Sequence, residues 1–241
     1  MIDLHSHILP GIDDGAADLD ESIAMCRMAF RDGIRTIVAT PHIGKFPNTR
    51  EIIEKKAEEL RRVMRSQGID LALFIGADYE FSPEIFSRIQ NKALLTINSS
   101  RYLLLDIPYS LMPPNVPRHI ERMVNAGIVP IITHPERCLQ VQEEVAILDD
   151  IVKAGALVQL TASSIMGRMG TRARETAHLI LKKNLAHVIA TDAHGLSKRP
   201  PILSEAVALA SGIIGKDRAL AMVTSTPQQI IGNASTPAFS S

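Results

Sequence analysis

Histidine and aspartate form two short alternating patterns near opposite ends of the chain. The sequence reads HSH from His5 to His7 and DAH from Asp192 to His194. Alternate residues of a β-strand point to the same face, so each pattern aims two metal-binding side chains in one direction. A mixed set of imidazole and carboxylate groups suits Mn, Fe or Zn, whereas Ca and Mg prefer oxygen ligands alone. The two patterns therefore predict metal binding at both ends of the chain.

Further candidate ligands lie between these patterns, each at the end of a predicted strand. They are His42, Asp78 or Glu80, Asp106 and His134. Successive candidates are roughly 30 residues apart, which is the length of one strand-helix-strand unit. The carboxyl ends of all strands in a parallel barrel lie at one face, where the active sites of such barrels are found. The spacing therefore predicts that these side chains meet there and hold two or three divalent cations.

Two neighbouring acidic residues, Asp13 and Asp14, follow the first histidine pair in the sequence GIDDG. Because Asp and Gly favour turns, this segment could form only a turn and a helix cap. Its position soon after His7 also brings one carboxylate within reach of a metal. The spacing alone leaves both interpretations open.

Two arginines follow candidate ligands in the sequence. Arg137 ends the sequence HPER that begins at His134, and Arg199 lies in the loop after His194. The planar guanidinium group fits two phosphate oxygens at once, so an arginine at the rim of a metal site is an expected phosphate partner. An isolated arginine is more often a solvated surface charge, but two beside one predicted cluster indicate phosphate binding.

Composition narrows the class of protein. The chain has 241 residues, 46% of them hydrophobic, and equal numbers of basic (26) and acidic (26) side chains, so no net charge attracts nucleic acid. It has neither a basic segment followed by an apolar run at its start nor an apolar run of about 18 residues, which predicts a cytoplasmic protein that is not membrane-embedded. A thiol-based phosphatase needs an arginine after five intervening residues, but Cys26 is followed there by Asp32 and Cys138 by Glu144.

The candidate ligands require a scaffold of strands and helices to position them. Turn residues and helical periodicity separate seven short apolar runs, which predicts strands at Ile2–Leu4, Thr36–Ala39, Leu71–Ile75, Tyr102–Leu105, Val129–Ile132, Leu157–Leu160 and Val188–Ala190. Helix start signals occur at Asp18, at Asn48 or Thr49, and at Ser82 with Pro83. We therefore predict an α/β fold, a parallel barrel in a single domain over residues 1–232. Residues 233–241 are predicted to be a disordered tail because they have little to bury.

Taken together, these motifs resemble the PHP superfamily, named for polymerase and histidinol phosphatase domains. The chain more closely resembles the bacterial tyrosine-protein phosphatases of capsule and exopolysaccharide clusters. The similarity extends from Ile2 to about Gly215, and its most specific motifs are HPER at His134–Arg137 and LTASS at Leu160–Ser164. The resemblance implies a distorted (β/α)7 TIM-like barrel with a trinuclear metal site, usually supported by Mn. It also implies substrates that are phosphotyrosines on the tail of a tyrosine autokinase controlling polysaccharide export.

The resemblance also assigns roles to individual residues. It implies metal ligands at His5, His7, Asp14, His42, His134, Asp192 and His194. It places Arg137 and Arg199 on the phosphate, and Asp192 is also a candidate for protonating the leaving phenolate. The family commonly has Glu on the third and fourth strands, where this chain has Asp78 and Asp106. Glu80 lies two residues beyond Asp78 and faces the same way, so the third-strand ligand stays open.

Three alternative functions compete with this interpretation. A related phosphoesterase would act on a small phosphomonoester such as histidinol phosphate or a nucleotide. An amidohydrolase-type barrel would cleave C–N bonds, but it usually carries a carboxylated lysine at a strand end, and no lysine lies at a predicted strand end here. A non-catalytic barrel would use metal only for structure or partner binding, whereas an excess of ligands beside two arginines favours turnover. The sequence allows an oligomer without specifying one.

Overall fold

Parallel strands alternate with helices along the chain in the computed structural model, which describes residues 1–232. The strands are β1 Ile2–Ser6, β2 Thr36–Ala39, β3 His42–Ile43, β4 Ala72–Ile75, β5 Asp78–Glu80, β6 Tyr102–Asp106, β7 Val129–Thr133, β8 Leu157–Thr161 and β9 Val188–Ala190. The helices are α1 Leu19–Arg31, α2 Arg50–Ser66, α3 Glu84–Gln90, α4 Val116–Asn125, α5 Leu139–Glu143, α6 Ile147–Lys153, α7 Ala162–Ile165, α8 Thr171–Lys182, α9 Ser204–Ile214, α10 Lys216–Ala221 and α11 Ser225–Ile231. Two 3-10 turns lie at Ile97–Ser99 and Pro135–Arg137. The tail predicted to be disordered, residues 233–241, lies outside the described residues.

The helices begin where the capping signals predict. The Asp18 side chain accepts a hydrogen bond from the Glu21 backbone N–H at 2.9 Å, which caps α1. Thr49, rather than Asn48, caps α2, and α3 begins directly after Pro83. The Asp18 and Thr49 side chains satisfy N–H groups that the first helical turn leaves without partners, whereas Pro83 makes no side-chain cap bond. Such local signals locate helix starts without tertiary information.

The strands form two parallel sheets, one in the order β1-β2-β4 and the other in the order β3-β5-β6-β7-β8-β9. Two of the seven predicted strands are each followed by a short second strand. Pro41, which has no N–H to donate, separates β2 from β3, and Gly76 separates β4 from β5. The segments stay side by side across the break because the Gly76 N–H donates to Ala39 O at 2.8 Å and the Asp78 N–H donates to Pro41 O at 3.2 Å.

The first strand also contacts the segment that follows the last strand. Ser6 forms an isolated parallel bridge with Ala193. The His7 N–H donates to Ala193 O and the Asp192 N–H donates to His5 O, both at 2.9 Å. These bonds place the two histidine and aspartate patterns next to each other. The predicted α/β class with parallel sheets is confirmed.

Apolar side chains on the two faces of the strands belong to different buried clusters. Leu103 and Leu105 of β6 pack in the larger cluster, which includes residues of most of the helices. Leu104, between them, belongs to a smaller cluster with residues such as Ile131, and Ile230 of α11 belongs to it as well. Burying one such side chain stabilises a fold by about 1.5–3 kcal/mol. Both clusters therefore stabilise the strands whose ends carry the polar residues. None of the helices within residues 1–232 has both the length and the apolar character needed to span a bilayer.

Candidate metal centre

The structure brings the predicted metal-binding side chains together at the carboxyl ends of the strands. We call this set the metal centre, and its members are His5, His7, Asp14, His42, Asp78, Asp106, His134, Asp192 and His194. Eight of them belong to three overlapping groups whose ligand atoms lie within 4.8 Å of one another. The ninth, His134, has its Nε2 3.7 Å from Oδ1 of Asp106. The predicted convergence of separate strands at one face is therefore present.

The first group contains His5, His7 and Asp192. The Nε2 atoms of the two histidines lie 3.1 Å apart. Oδ1 of Asp192 lies 3.4 Å from the first and 3.5 Å from the second. Three ligand atoms thus face one point, as a shared cation requires.

The second group contains His7, Asp14, His42 and His194. Oδ1 of Asp14 lies 3.6 Å from Nε2 of His42 and 3.5 Å from Nε2 of His194. The other acidic residue of the GIDDG segment, Asp13, lies behind His7 instead. Of the two carboxylates that the sequence left open, Asp14 thus faces the other ligand atoms.

The third group contains His42, Asp78 and Asp106, and it provides a test of whether cations fit. Nδ1 of His42 lies 3.3 Å from Oδ2 of Asp78. Within the described chain, neither side-chain oxygen of the fully buried Asp78 accepts a hydrogen bond, and Oδ1 of Asp106 accepts none either. A buried carboxylate without hydrogen bonds is costly unless a cation neutralises it, so these residues fit a metal site. Glu80 is exposed to solvent.

Polar groups behind three of the histidines orient their rings. Nδ1 of His7 lies 2.7 Å from Oδ2 of Asp13, and Nδ1 of His5 lies 2.9 Å from Oε1 of Gln159. The backbone oxygen of Asp192 takes this position for His194, 2.8 Å from its Nδ1. A hydrogen bond at Nδ1 selects the ring tautomer that leaves Nε2 free to bind a metal.

Hydrogen bonds and charges within the metal centre shift the pKa values of its groups. Burial alone would lower the pKa of His7, but hydrogen bonds with Asp13 and Asp192 raise it to about 10. Burial would raise the pKa of Asp192, but neighbouring histidines and Arg199 hold it well below its usual range. Burial lowers the pKa of His134 to about 3. The ionised Asp192 and the neutral His134 therefore hold the charge state that a metal ligand needs. Burial and the neighbouring charges of Asp78 and Asp192 raise the pKa of Asp106 to about 8, so a cation would compete with protons at His7 and Asp106.

Both predicted phosphate-binding arginines contact Asp192. Nη1 of Arg137 lies 3.1 Å from Oδ2 of Asp192, and Nη1 of Arg199 lies 2.6 Å from the same oxygen. Their side chains are 15% and 19% exposed, so both remain reachable from the mouth of the site. Each guanidinium has further N–H donors that this contact leaves available for an anion.

The backbone takes an unusual conformation at two of the candidate ligands. His134 has φ +38° and Asp192 has φ +51°, in the left-handed region that side chains other than glycine rarely adopt. Neighbouring strands hold both positions, because His134 N–H donates to Gln159 O at 3.0 Å and Asp192 N–H donates to His5 O at 2.9 Å. Strained backbone of this kind is concentrated at functional sites.

Sequence reasoning missed three residues that support the metal centre. Asp3 accepts hydrogen bonds from the backbone N–H and the hydroxyl of Thr191. Gln159, on the strand predicted to carry no ligand, contacts His5. Glu136 of the HPER sequence is buried, and its Oε1 accepts the Thr161 N–H at 3.1 Å. For Asp3 and Gln159 the available signal was a polar residue inside an apolar strand run, because such a residue needs a buried partner. Glu136 lies in the turn at Pro135–Arg137, where this signal does not apply.

Comparisons with known proteins identify the family of this chain. A family model described as capsular polysaccharide synthesis, CpsB/CapC, matches residues 1–232. CapC of Staphylococcus aureus is 34% identical over 207 residues, which cover 85% of this chain and 81% of that protein. The tyrosine-protein phosphatase YwqE of Bacillus subtilis is 35% identical over 205 residues, which cover 83% of this chain and 79% of that protein.

A solved structure shares the whole fold. It comes from the crystal structures of YwqE from Bacillus subtilis and CpsB from Streptococcus pneumoniae, which are named as unique metal-dependent tyrosine phosphatases. It matches with a TM-score of 0.93 and 30% identity, covering 98% of this chain and 96% of that chain. The family resemblance drawn from the sequence motifs is confirmed. The chain belongs to the CpsB/CapC family of capsular polysaccharide synthesis.

Proposed function

We propose that this chain is a metal-dependent tyrosine-protein phosphatase, a phosphoric monoester hydrolase. The observation that carries the proposal is the presence of three overlapping histidine and aspartate groups directly beside two arginines that converge on Asp192. Phosphoryl transfer needs cations and cationic side chains to neutralise oxygens, and little covalent chemistry from the protein. The tyrosine phosphatase relatives support the choice of substrate.

The metal centre would hold two or three divalent cations, with Mn preferred and Fe or Zn as alternatives. The imidazole and carboxylate donors suit these ions. We infer that Asp78, rather than Glu80, is the third-strand ligand, because Asp78 is buried against His42 and Glu80 is exposed. Cations bound there would polarise a phosphoryl oxygen and make water a nucleophile near neutral pH.

The side chains around the centre would orient the phosphate and stabilise its charge. Arg137 and Arg199 would donate to the equatorial oxygens, on which negative charge spreads in the transition state. Asp192 would orient both guanidinium groups toward the position of the phosphate, because both contact its Oδ2. Since its pKa lies well below the usual range, Asp192 stays ionised at neutral pH, which favours this role over protonation of the leaving group.

A closed barrel of seven strands forms part of the proposal. Counting β2 with β3 and β4 with β5 as interrupted strands leaves seven parallel strands, each paired with the next. The Ser6–Ala193 bridge supports closure between β1 and the segment after β9. Such closure explains how residues from both ends of the chain meet at one face.

The proposed substrate is the phosphotyrosine tail of a bacterial tyrosine kinase that regulates capsule or exopolysaccharide synthesis. The family match to capsular polysaccharide synthesis supports this process. We also propose a cytoplasmic location. Cys26 and Cys138 are both buried free thiols, as is usual for proteins of a reducing compartment.

Metal analysis combined with kinetics tests the proposal. Purified protein with added Mn should hydrolyse a phosphotyrosine peptide in preference to histidinol phosphate. His42→Ala should reduce both bound metal and activity, because His42 faces two of the three groups. Arg137→Ala should keep its metal and lose about 100-fold to 1,000-fold in kcat/KM, the effect typical of removing one charge-stabilising donor.

Matched control variants lie outside the metal centre. His178, whose Nε2 lies 3.0 Å from the Ile165 backbone oxygen, and the exposed Arg172 can be changed to alanine with activity retained. A wild-type protein that hydrolyses histidinol phosphate but no phosphotyrosine peptide would refute the substrate assignment. Full activity in His42→Ala would refute the site assignment.

A further inference from the structure

An aromatic ring lies against the residues that would bind the phosphate. Tyr109, in the loop after β6, has its ring centroid 5.7 Å from the ring centroid of His134. Cζ of Arg137 lies 4.6 Å from the centre of the same ring. The Tyr109 side chain therefore contacts both a candidate metal ligand and a proposed phosphate-binding arginine.

The loop that carries Tyr109 is fastened to the segment that follows Arg137. The Leu139 N–H donates to Tyr109 O at 2.7 Å, and the Gln140 N–H donates to Ser110 O at 3.3 Å. The side chain of Gln140 accepts the Met112 N–H at 2.9 Å. These three bonds join the backbone of the Tyr109 loop to the segment directly after Arg137, so the two side chains are attached to connected parts of the chain.

Tyr109 is also accessible and uncharged. The residue is 49% exposed, whereas the other tyrosines, Tyr79 and Tyr102, are buried. A tyrosine hydroxyl is uncharged near neutral pH, so Tyr109 carries no negative charge that would repel a phosphate. Exposed aromatic residues at a site rim commonly bind an apolar part of a ligand.

We propose that Tyr109 determines specificity for aryl phosphates, by packing against the aryl ring of the substrate while the phosphate reaches Arg137. This inference rests on the proposed phosphatase function and adds how the ring is recognised. In phosphotyrosine a single oxygen joins phosphorus to the ring. The Arg137 guanidinium contacts both Asp192 and the ring of Tyr109. The aryl ring of a substrate whose phosphate binds Arg137 would therefore lie within reach of the Tyr109 ring. An alkyl phosphate such as phosphoserine has no ring for this contact.

Two ligands that differ only in the ring provide the test. Phenylphosphonate and methylphosphonate present the same phosphonate group, and their dissociation constants can be measured by calorimetry with Mn-loaded protein. In wild type the phenyl compound should bind more tightly. Tyr109→Leu should reduce this preference about 2-fold to 10-fold, the range expected for one aromatic pair, and leave methylphosphonate binding unchanged. Tyr109→Phe should retain the preference.

Phe46 provides a matched control, because it also contacts a candidate metal ligand, stacking on His42 with a centroid distance of 6.0 Å, but makes none of the cation–π contacts within residues 1–232. Phe46→Leu should keep the wild-type preference. If Tyr109→Leu also loses methylphosphonate binding, Tyr109→Met, which restores a long apolar side chain without a ring, makes the same comparison. An unchanged preference in the variants lacking the Tyr109 ring, or a loss in Phe46→Leu instead, would overturn the inference.

Peptides separate this inference from the proposed function. Phosphotyrosine and phosphoserine peptides of one sequence are compared as substrates of wild type and Tyr109→Leu. The variant should lose discrimination through a higher KM for the phosphotyrosine peptide. If wild type hydrolyses neither peptide, the proposed function and the inference both fail. If wild type prefers phosphotyrosine and the variant prefers it equally, only the role of Tyr109 fails.

Discussion

Asp13 Oδ2 lies 2.7 Å from Nδ1 of His7 and also accepts the His42 backbone N–H at 3.2 Å. One carboxylate thus orients the ring of His7, directly after β1, and binds the backbone of His42 at the start of β3. Gly15 makes the arrangement possible, because a Cβ there would overlap the backbone oxygen of His7. Carboxylates behind metal-binding histidines raise the basicity of the ring and hold its orientation.

Asp13→Ala should therefore weaken metal binding without removing a ligand. We expect Mn affinity to fall about 10-fold to 100-fold, as is typical when the partner of a ligating histidine is lost. Titration of metal-free protein with Mn measures the effect, and the exposed Asp70→Ala serves as the control. Equal Mn affinity in both variants would contradict this role of Asp13.

Asp78→Asn tests the buried carboxylate that accepts no hydrogen bond. The amide keeps the shape of the side chain but removes the negative charge of the proposed ligand. The rise in Tm that Mn produces should be lost in the variant. In wild type, Mn at 100 times its Kd should increase the free energy of unfolding by about 2.7 kcal/mol. Glu80→Gln, two residues along the same strand and exposed, should keep the Mn response. An Mn response in Asp78→Asn as large as that of wild type would exclude it as a ligand.

Arg137 and Arg199 share one oxygen of Asp192, so their contributions to catalysis should not be independent. Each alanine variant should lose about 100-fold or more in kcat/KM. The double variant should lose clearly less than the product of the two single losses, because groups in one network act as a unit. A multiplicative double loss in steady-state kinetics would show that the two arginines act separately.

Glu136 ties the turn that carries Arg137 to the end of β8 through the Thr161 N–H. Glu136→Ala should destabilise the protein by about 1–3 kcal/mol, because it leaves a buried N–H without an acceptor. It should also lower kcat/KM by displacing the turn. Glu136→Gln keeps an acceptor oxygen and should restore most of both properties. Denaturant unfolding and kinetics on the two variants provide the check, and an alanine variant as stable and active as wild type would disprove the role.

His187 should make stability depend on pH. Burial, with a contribution from Arg218, lowers its pKa from 6.5 to about 4, so the unfolded chain takes up a proton more readily than the folded protein. This stabilising contribution is present above pH 6.5 and is lost as the pH falls toward 4. The loss should reach about 2.5 kcal/mol by pH 4.5, because two pKa units are worth about 2.7 kcal/mol and the folded protein is itself partly protonated at that pH.

Comparison with His187→Asn isolates this effect. Asparagine can accept the Val158 N–H that Nδ1 of His187 accepts at 3.1 Å, but it does not titrate. Urea unfolding of metal-free protein at pH 7.5 and 4.5 should show a smaller pH dependence in the variant. Taking the difference between the two proteins removes the contribution of the metal centre. Identical pH dependence would mean that His187 does not titrate in this range.

The sequence by itself determined the local features of this protein. Strand positions followed from apolar runs, and helix starts followed from caps such as Asp18, because both depend on interactions within a few residues. The histidine pair at His5 and His7 was recognisable because strand alternation is a local rule. The two breaks in the sheet, at Pro41 and Gly76, were not predicted, since their consequence depends on which strand lies alongside.

Only the tertiary structure decided which polar groups meet. Spacing alone could not choose between Asp13 and Asp14, although the family resemblance implied Asp14. Nothing in the sequence identified the partner of Gln159 or the residues that contact the ring of Tyr109. These contacts depend on the register between strands distant in sequence, and a shift of one residue turns a side chain to the opposite face. Residue types therefore predicted the chemistry of the site, while strand packing decided which side chains face the metal centre and which support it from behind.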